Sequence, residues 1–405
     1  MHSSSFHLGF ACVWDSKPEN TWSGTPHHLF CALEDLFQKS LLDFRITNVD
    51  CALPQQYKRF YQMLGMGFHE GKHVSRYRFL PQYLKAVEKR CVELVRRVNQ
   101  EMQSVRLEAS LQAPLGAMLQ IGDIAAFPDI PTFTYQDVTA HYLFQTLHTK
   151  GLSVPMFTQY REKDLLRRWE VQARYYEQCA GIFTMSHWLR NYLIDNGLAD
   201  ADKVHTVHAG TNVPLPSDIP PRKAPLHKKT ILFIGRDFQR KGGDIVVQAF
   251  LRLQKQLPNS LRLVIAGPKR WEDCAIGFAG VPEGIEFLGD ADYQTLRRYL
   301  SEADVFCMPS RFEAFGIVFA EALAFGVPCI GRNCYAMPEM IVHGQNGYLL
   351  EETLEGSEAA SSLAELLMNT LENNPMKMLV EKQRSATTAY YSWNRVATQM
   401  LGEMV

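Results

Sequence analysis

Two carboxylates eight residues apart, Glu313 and Glu321, lie in the stretch PSRFEAFGIVFAEALAFGVPCIG, Pro309 to Gly331. The apolar run Asp304 to Met308 before it reads as a buried strand, ended by Pro309 and Ser310. Ile317 to Phe325 then shows helical spacing, with Ile317, Phe319 or Ala320, Leu323 and Ala324 as the inward face, and Gly316 sits where the helix should begin. In a strand, loop and helix of this kind the N–H groups of Ala314, Phe315, Gly316 and Ile317 are expected to be unpaired donors beside the positive end of the helix dipole. That is a site for an anion or a polyhydroxyl group. At about 1.5 Å per residue, eight residues of helix span roughly 12 Å. The two acids can then touch the two ends of one extended ligand, with the reach of a sugar, a diphosphate and a ribose in line. The plainer alternative is two solvated acids on one helix.

A second set of chemistry-bearing residues stands in TILFIGRDFQRKGGD. A strand at Ile231 to Ile234 is followed by Gly235 and Arg236, then by Lys241, Gly242 and Gly243. Glycines let backbone approach a ligand closely, and two cations five positions apart on one loop can flank a pyrophosphate. Two more strands end in glycine: Leu261 to Ala266 before Gly267, and Ile285 to Leu288 before Gly289. Tyr293 to Glu302 reads as a helix, and Val327 to Ile330 as the strand after the two acids. The Pro-rich, aperiodic Val213 to Lys229 reads as a linker.

Glu313, Phe315, Gly316 and Glu321, followed by Gly326, Val327 and Pro328, resemble the E-x(7)-E segment of the retaining glycosyltransferases of family 4, which share the GT-B fold. The resemblance covers Ala173 to Trp393, with Pro338-Glu339 and Gly344 to Gly347 also familiar in the family. It implies that Glu313 and its following amides hold the hydroxyls of a donor sugar, and that Glu321 holds the ribose. Arg236 and Lys241 would bind the donor diphosphate, and the strand ends at Gly267 and Leu288 would hold the base of a UDP-, GDP- or ADP-sugar. The family's first loop faces the donor phosphates and the acceptor. Here that loop carries Ser23-Gly24-Thr25 in place of two adjacent glycines, so Gly24 is the matching residue and a plain tight turn is the alternative. Where many relatives carry His-Asp beside the reacting sugar, this chain has Gln136-Asp137, leaving Asp137 and nearby His141 as candidates. The family's glycine pair before Pro338 is Ala336-Met337 here.

These motifs need two domains to position them, and 405 residues suffice for two cores. The expectation is an α/β chain of the GT-B type, two Rossmann-like domains facing across a cleft. Residues 1–212 form the acceptor-side domain, 213–229 the linker, 230–385 the nucleotide-sugar domain, and 386–405 a helix crossing back to the first domain. Phe6 to Trp14, Leu119 to Ile121, Pro131 to Tyr135, Gly181 to Met185 and Val204 to His208 read as strands of the first domain. Pro26 opens its first helix, and Ser186 reads as a helix N-cap.

A net charge of −1, with 46% hydrophobic and 21% charged residues, gives no bias toward nucleic acid. Nine scattered cysteines read as small buried hydrophobes of a reducing compartment. With no basic leader, no CxxC and no run of eighteen apolar residues, the expected location is cytoplasmic. Between Tyr57 and Arg97 the chain is basic and aromatic, and a long amphipathic helix from Pro81 carries Leu84, Val87, Cys91, Leu94, Val95 and Val98 on one stripe. That surface is either a solvated face or a seat on anionic membrane at the inner face.

The activity implied is a retaining, metal-independent transfer of a hexose from a nucleotide-diphospho sugar to a hydroxyl of a glycan, lipid or small molecule, with no cofactor. Charge develops on the departing phosphate, so Arg236, Lys241 and the helix N-terminus are the expected catalytic groups, with Glu313 and Asp137 beside the sugar. The alternatives are a GT-B epimerase or phosphorylase, and a non-catalytic sugar-nucleotide binder or membrane-surface scaffold.

Overall fold

The computed structural model describes residues 6–40, 44–64, 66–69, 72–75, 81–105, 115–150, 161–213, 228–274, 276–277 and 280–405. The chain divides into two compact units, Met1–Gly210 with Trp393–Val405, and Thr211–Ser392.

The first unit alternates strands and helices: β1 Phe6–Cys12, α1 Thr25–Lys39, β2 Phe44–Asp50, α2 Gln55–Leu64, a hairpin of β3 Met66–His69 and β4 Lys72–Ser75, and α3 Pro81–Val105. There follow β5 Ala117–Ile121, β6 Thr132–Gln136, α4 Ala140–Lys150, α5 Glu162–Gln178, β7 Gly181–Thr184, α6 His187–Asp195 and β8 Val204–Thr206. Six of these strands form one parallel sheet in the order β2-β1-β5-β6-β7-β8, with Phe10 opposite Leu119 and Phe133 opposite Gly181. Strands covered on both faces favour apolar residues on both, and Leu8, Phe10, Met118, Leu119, Ile182 and Phe183 are all buried; the buried polar residues Gln120, Thr134 and Gln136 are hydrogen-bonded. The stripe expected on α3 is its inward face: Val87, Cys91 and Val95 are buried in a core with Val49, Leu115 and Met118. The N-cap reading of Ser186 is matched by its Oγ, which accepts the N–H of Leu189 at 3.1 Å.

The second unit repeats the design. It contains β9 Lys229–Ile234, α7 Gly243–Gln256, β10 Leu261–Ala266, β11 Ile285–Gly289, α8 Tyr293–Glu302, β12 Val305–Cys307 and α9 Ile317–Ala324. Then come β13 Cys329–Arg332, α10 Met337–Met340, β14 Gly347–Leu350, α11 Gly356–Glu372 and α12 Asn374–Tyr390. The sheet is again parallel, in the order β11-β10-β9-β12-β13-β14. Strand order reverses between β9 and β12, and ligands of open α/β sheets bind at the carboxyl ends of the strands on either side of such a reversal. In the first unit the corresponding reversal lies between β1 and β5.

The last helix, α13 Trp393–Met404, belongs to the first unit, where it packs on α1. Its Trp393, Val396 and Met400 are buried, and Arg395 Nη2 donates to Val207 O at 2.8 Å. Most of the linker, 214–227, lies outside the described residues, as do Arg76 and Arg78 of the basic stretch. Among the described residues no helix is long and apolar enough to cross a membrane. Seven of the nine cysteines are buried, while Cys31 is exposed on α1 and Cys334 is half-buried.

Candidate functional site

In the second unit the loops after β9 and β12, on the two sides of the strand-order reversal, are fastened to each other. The N–H of Arg311 donates to Arg240 O at 2.8 Å, and Arg240 Nη1 donates to Phe312 O at 2.7 Å. Lys241 Nζ donates to Glu313 Oε2, so the two candidates from separate motifs form one ion pair, with Arg240 Nη1 4.0 Å from the same oxygen. Lys241 and Glu313 expose 15% and 12% of their side chains. That excludes the reading of Glu313 as a solvated helix acid. Burial pushes the Lys241 ammonium down from its usual value, and the Glu313 carboxylate opposes that shift. The approach depends on Gly242, left-handed at φ 76°, where a Cβ would lie 2.4 Å from Pro309 O.

Arg311 holds the second loop from behind. Its Nη1 and Nη2 bond Asp244 at 2.8 and 2.9 Å, and Nη2 bonds Glu355 Oε2 at 2.8 Å. The fully buried Arg332 at the end of β13 shares Glu355 through Nη1, at 3.0 Å from Oε1. One carboxylate therefore links two guanidinium groups, and Arg311 is bidentate to a second, a geometry that fixes direction as well as distance.

The strand ends after β9, β10 and β11 meet backbone to backbone. Gly235 N donates to Ala266 O at 2.8 Å and Gly267 N to Gly289 O at 2.7 Å. A Cβ on Gly267, which has φ 125°, would sit 2.5 Å from the carbonyl carbon of Gly235, so no other residue fits. Leu288 is half-buried beside Gly289 on β11. Arg236, by contrast, is turned outward: 74% of its side chain is exposed and Nη2 pairs with Asp290 Oδ1 at 3.3 Å.

Two details depart from the expectation for the Glu313 to Glu321 segment. The helix α9 starts at Ile317 with Gly316 as its left-handed N-cap, so Ala314 and Phe315 precede the first turn, and their amides are loop rather than helix donors. Only part of the interval between the two acids is therefore helical. Second, α9 is buried on nearly every side from Phe319 to Ala324, where a single apolar stripe was expected. Its small and apolar residues lie between β13 and α12. Glu321 is buried with them at 6% exposure, and its Oε1 accepts the N–H groups of Asn212 and Val213 at 3.0 and 3.1 Å.

The first unit carries Gly24 and Asp137. Gly24 is the N-cap of α1 at φ 89°, on the loop that leaves β1 at the strand-order reversal. Asp137 follows β6 and is half-buried. Its neighbour Gln136 turns inward. Gln136 Oε1 accepts from Tyr176 OH and from Gln172 Nε2 at 3.3 Å, and Gln136 Nε2 donates to Thr134 Oγ1 at 3.1 Å. Gln172 also bonds Asp123, which is ion-paired with Arg168 inside the unit. The Gln136 amide is thus committed to a buried polar network. His141 Nδ1 lies 2.8 Å from Tyr192 OH, and burial lowers its pKa.

Sequence reasoning missed Arg240, Arg311 and Tyr335. The first is signalled only by its place beside Lys241, the second by lying two residues before Glu313. Tyr335 is left-handed, with φ 56°, between β13 and α10, so the position whose backbone favours glycine precedes the Ala336-Met337 pair.

Residues 217–385 match the family model described as Glycosyl transferases group 1. The chain carries a domain of that family, and its two parallel sheets are those of the GT-B fold. A phosphatidyl-myo-inositol mannosyltransferase from Mycobacterium leprae is 29% identical over 261 residues, 64% of each chain. The chain thus spans less than two thirds of that relative's length. Among solved structures, sucrose-phosphate synthase from Thermosynechococcus elongatus superposes with a TM-score of 0.59 at 16% identity over 98% of both chains. The Anabaena protein HepE, solved with UDP and glucose, gives 0.58 at 13% identity, also over 98% of both chains.

Proposed function

We propose that this chain is a retaining glycosyltransferase that moves a hexose from a nucleotide-diphospho sugar to a hydroxyl of a glycan, lipid or small-molecule acceptor. The observation that carries the reading is the meeting of Lys241 and Glu313 at the strand-order reversal of the second unit, with the buried Glu321 further along the same segment. Lys241 and Arg236 neutralise the diphosphate as the bond to the sugar breaks, and fixed positive charge there favours the transition state over the ground state. Glu313 takes a sugar hydroxyl. Glu321 takes the ribose through Oε2, because Oε1 serves two backbone amides. Gly267 and Leu288 edge the place of the base, and Gly24 and Asp137 serve the acceptor side. This chemistry uses no metal and no cofactor.

The test is a screen of UDP-, GDP- and ADP-hexoses for nucleotide release, with and without acceptor mixtures, followed by NMR of the anomeric centre of the product. Acceptor-dependent release with a retained anomer is expected. Conversion of the sugar nucleotide without an acceptor would make the chain an epimerase, phosphate-dependent cleavage of a glycan a phosphorylase, and nucleotide binding with no turnover a binding protein.

A peripheral seat on anionic membrane is the finer part of the proposal. It is supported by Lys85, Lys89, Arg96 and Arg97 exposed on α3, and by Tyr57 and Phe60, 53% and 50% exposed, on α2. Binding to acidic vesicles that falls steeply with salt is expected, since exposed charges are screened beyond about 8–10 Å at physiological ionic strength.

A further inference from the structure

Tyr335 combines three observations that its place in the fold does not require. Its backbone is left-handed, at φ 56°, a conformation rarely adopted by bulky residues and kept only where the surroundings hold it. Its ring packs edge-on against Phe312, with centroids 5.1 Å apart at 67°. Its hydroxyl donates to Arg311 O at 3.4 Å. Both partners are on the loop that carries Glu313. Phe312, 4% exposed, is the residue directly before Glu313, and its carbonyl also receives Arg240 Nη1. The half-buried tyrosine therefore contacts that loop from the β13–α10 side, while Arg240 and Lys241 hold it from the β9 side.

From this we infer that Tyr335 is a positioning residue: its strained backbone is retained because the ring holds Phe312, and through it the Glu313 carboxylate, where a donor sugar is to be met. The inference rests on the reading of Glu313 as the sugar anchor. A glycine would adopt the same φ without strain, so a purely local backbone role predicts that Tyr335→Gly is harmless or stabilising. A positioning role predicts a protein that folds as well and works worse, because a small displacement of a sugar contact is costly in turnover.

The experiment compares Tyr335→Gly, Tyr335→Asn and Tyr335→Phe in the full chain. Asparagine also tolerates the left-handed region, which guards against an effect peculiar to glycine. Three quantities are read: amide hydrogen exchange of residues 311–317, Kd for UDP, GDP and ADP, and kcat on the hexose donor found active in the screen. In Tyr335→Gly and Tyr335→Asn the Arg311 amide, bonded to Arg240 O in the wild type, should exchange at least tenfold faster. Turnover should fall at least tenfold while nucleoside diphosphate Kd stays within threefold. Tyr335→Phe, which keeps the ring, should restore most of the protection and turnover.

Unchanged exchange in both ring-deletion variants overturns the inference, as does a loss of nucleotide affinity equal to the loss of turnover. If the wild type turns over no donor, the transferase reading fails separately. Faster exchange, restored by Tyr335→Phe, then still supports the hold of Tyr335 on the Glu313 loop.

Discussion

Glu321 Oε1 accepts the backbone N–H of Asn212 at 3.0 Å, and with it the next amide, that of Val213, at 3.1 Å. A carboxylate expected to serve a ligand thus also fastens the first residues of the second unit to α9. Glu321→Ala leaves both amides without that acceptor, and a buried unsatisfied donor costs about 1–3 kcal/mol. Urea unfolding should show a loss in that range, and calorimetry a tenfold to hundredfold weaker nucleoside diphosphate. Glu321→Gln keeps a carbonyl oxygen for the amides and should retain most of the stability. A fully stable alanine variant would mean that the two bonds carry no weight.

The same carboxyl predicts a dependence on pH. Burial pushes its pKa up to about 7, against the pull of the two amides, from an ordinary value of 4.5. Between those two values the folded chain holds the proton and the unfolded chain releases it, so this group's contribution to stability falls as pH rises through that window and is flat above it. At about 1.36 kcal/mol per unit, the loss is on the order of 3 kcal/mol. Other carboxylates titrate as well, so the quantity to measure is wild type minus Glu321→Gln, by denaturant unfolding from pH 4.5 to 8. A difference that does not change with pH contradicts it.

Glu313 should behave differently from Glu321. Its oxygen lies on Lys241, so Glu313→Ala removes the proposed sugar contact and leaves the Lys241 ammonium without its paired carboxylate. Turnover should drop about a hundredfold or more, the scale of one positioned electrostatic contact. Nucleoside diphosphate affinity should hold or rise, because Lys241 no longer has to leave a carboxylate to meet phosphate. Equal binding losses in the Glu313 and Glu321 variants would mean that the segment does not run from sugar to ribose.

The second unit was largely legible because its parallel strands are short apolar runs, two of them stopped by glycine: the strand Leu261–Ala266 and the helix Tyr293–Glu302 both fall where the sequence pattern put them. The Lys241–Glu313 pair could not be read from spacing, since it joins residues 72 positions apart. It follows only from strand order, which brings β9 beside β12. The polar network of Asp123, Gln136, Arg168 and Gln172 is hidden for the same reason. Gln136 looked like a departure from a family pattern. Its partners on α5 give it a structural occupation that no local motif announces. Nor did α2 and the β3–β4 hairpin have a strong enough pattern to be expected.

Arg236 provides the cleanest separation of binding from stability. It is the most exposed of the proposed donor contacts in the second unit, and its Asp290 partner is half exposed. Solvent-exposed pairs of this kind contribute little to folding, because water screens them and two long side chains lose freedom in holding one geometry. Arg236→Ala should therefore leave the unfolding midpoint unchanged. A diphosphate would exchange the weak pair with Asp290 for a doubly charged acceptor that a planar guanidinium can grip with two bonds. Nucleoside diphosphate Kd should rise about tenfold in Arg236→Ala, and the salt dependence of binding should flatten as one cation is lost. Asp290→Ala, which releases the arginine, should tighten binding severalfold at low salt and have no effect in the Arg236→Ala background. Additive effects of the two substitutions would place Asp290 in direct contact with the ligand. An unchanged Kd in Arg236→Ala would leave Lys241 and the loop amides as the whole of the diphosphate site.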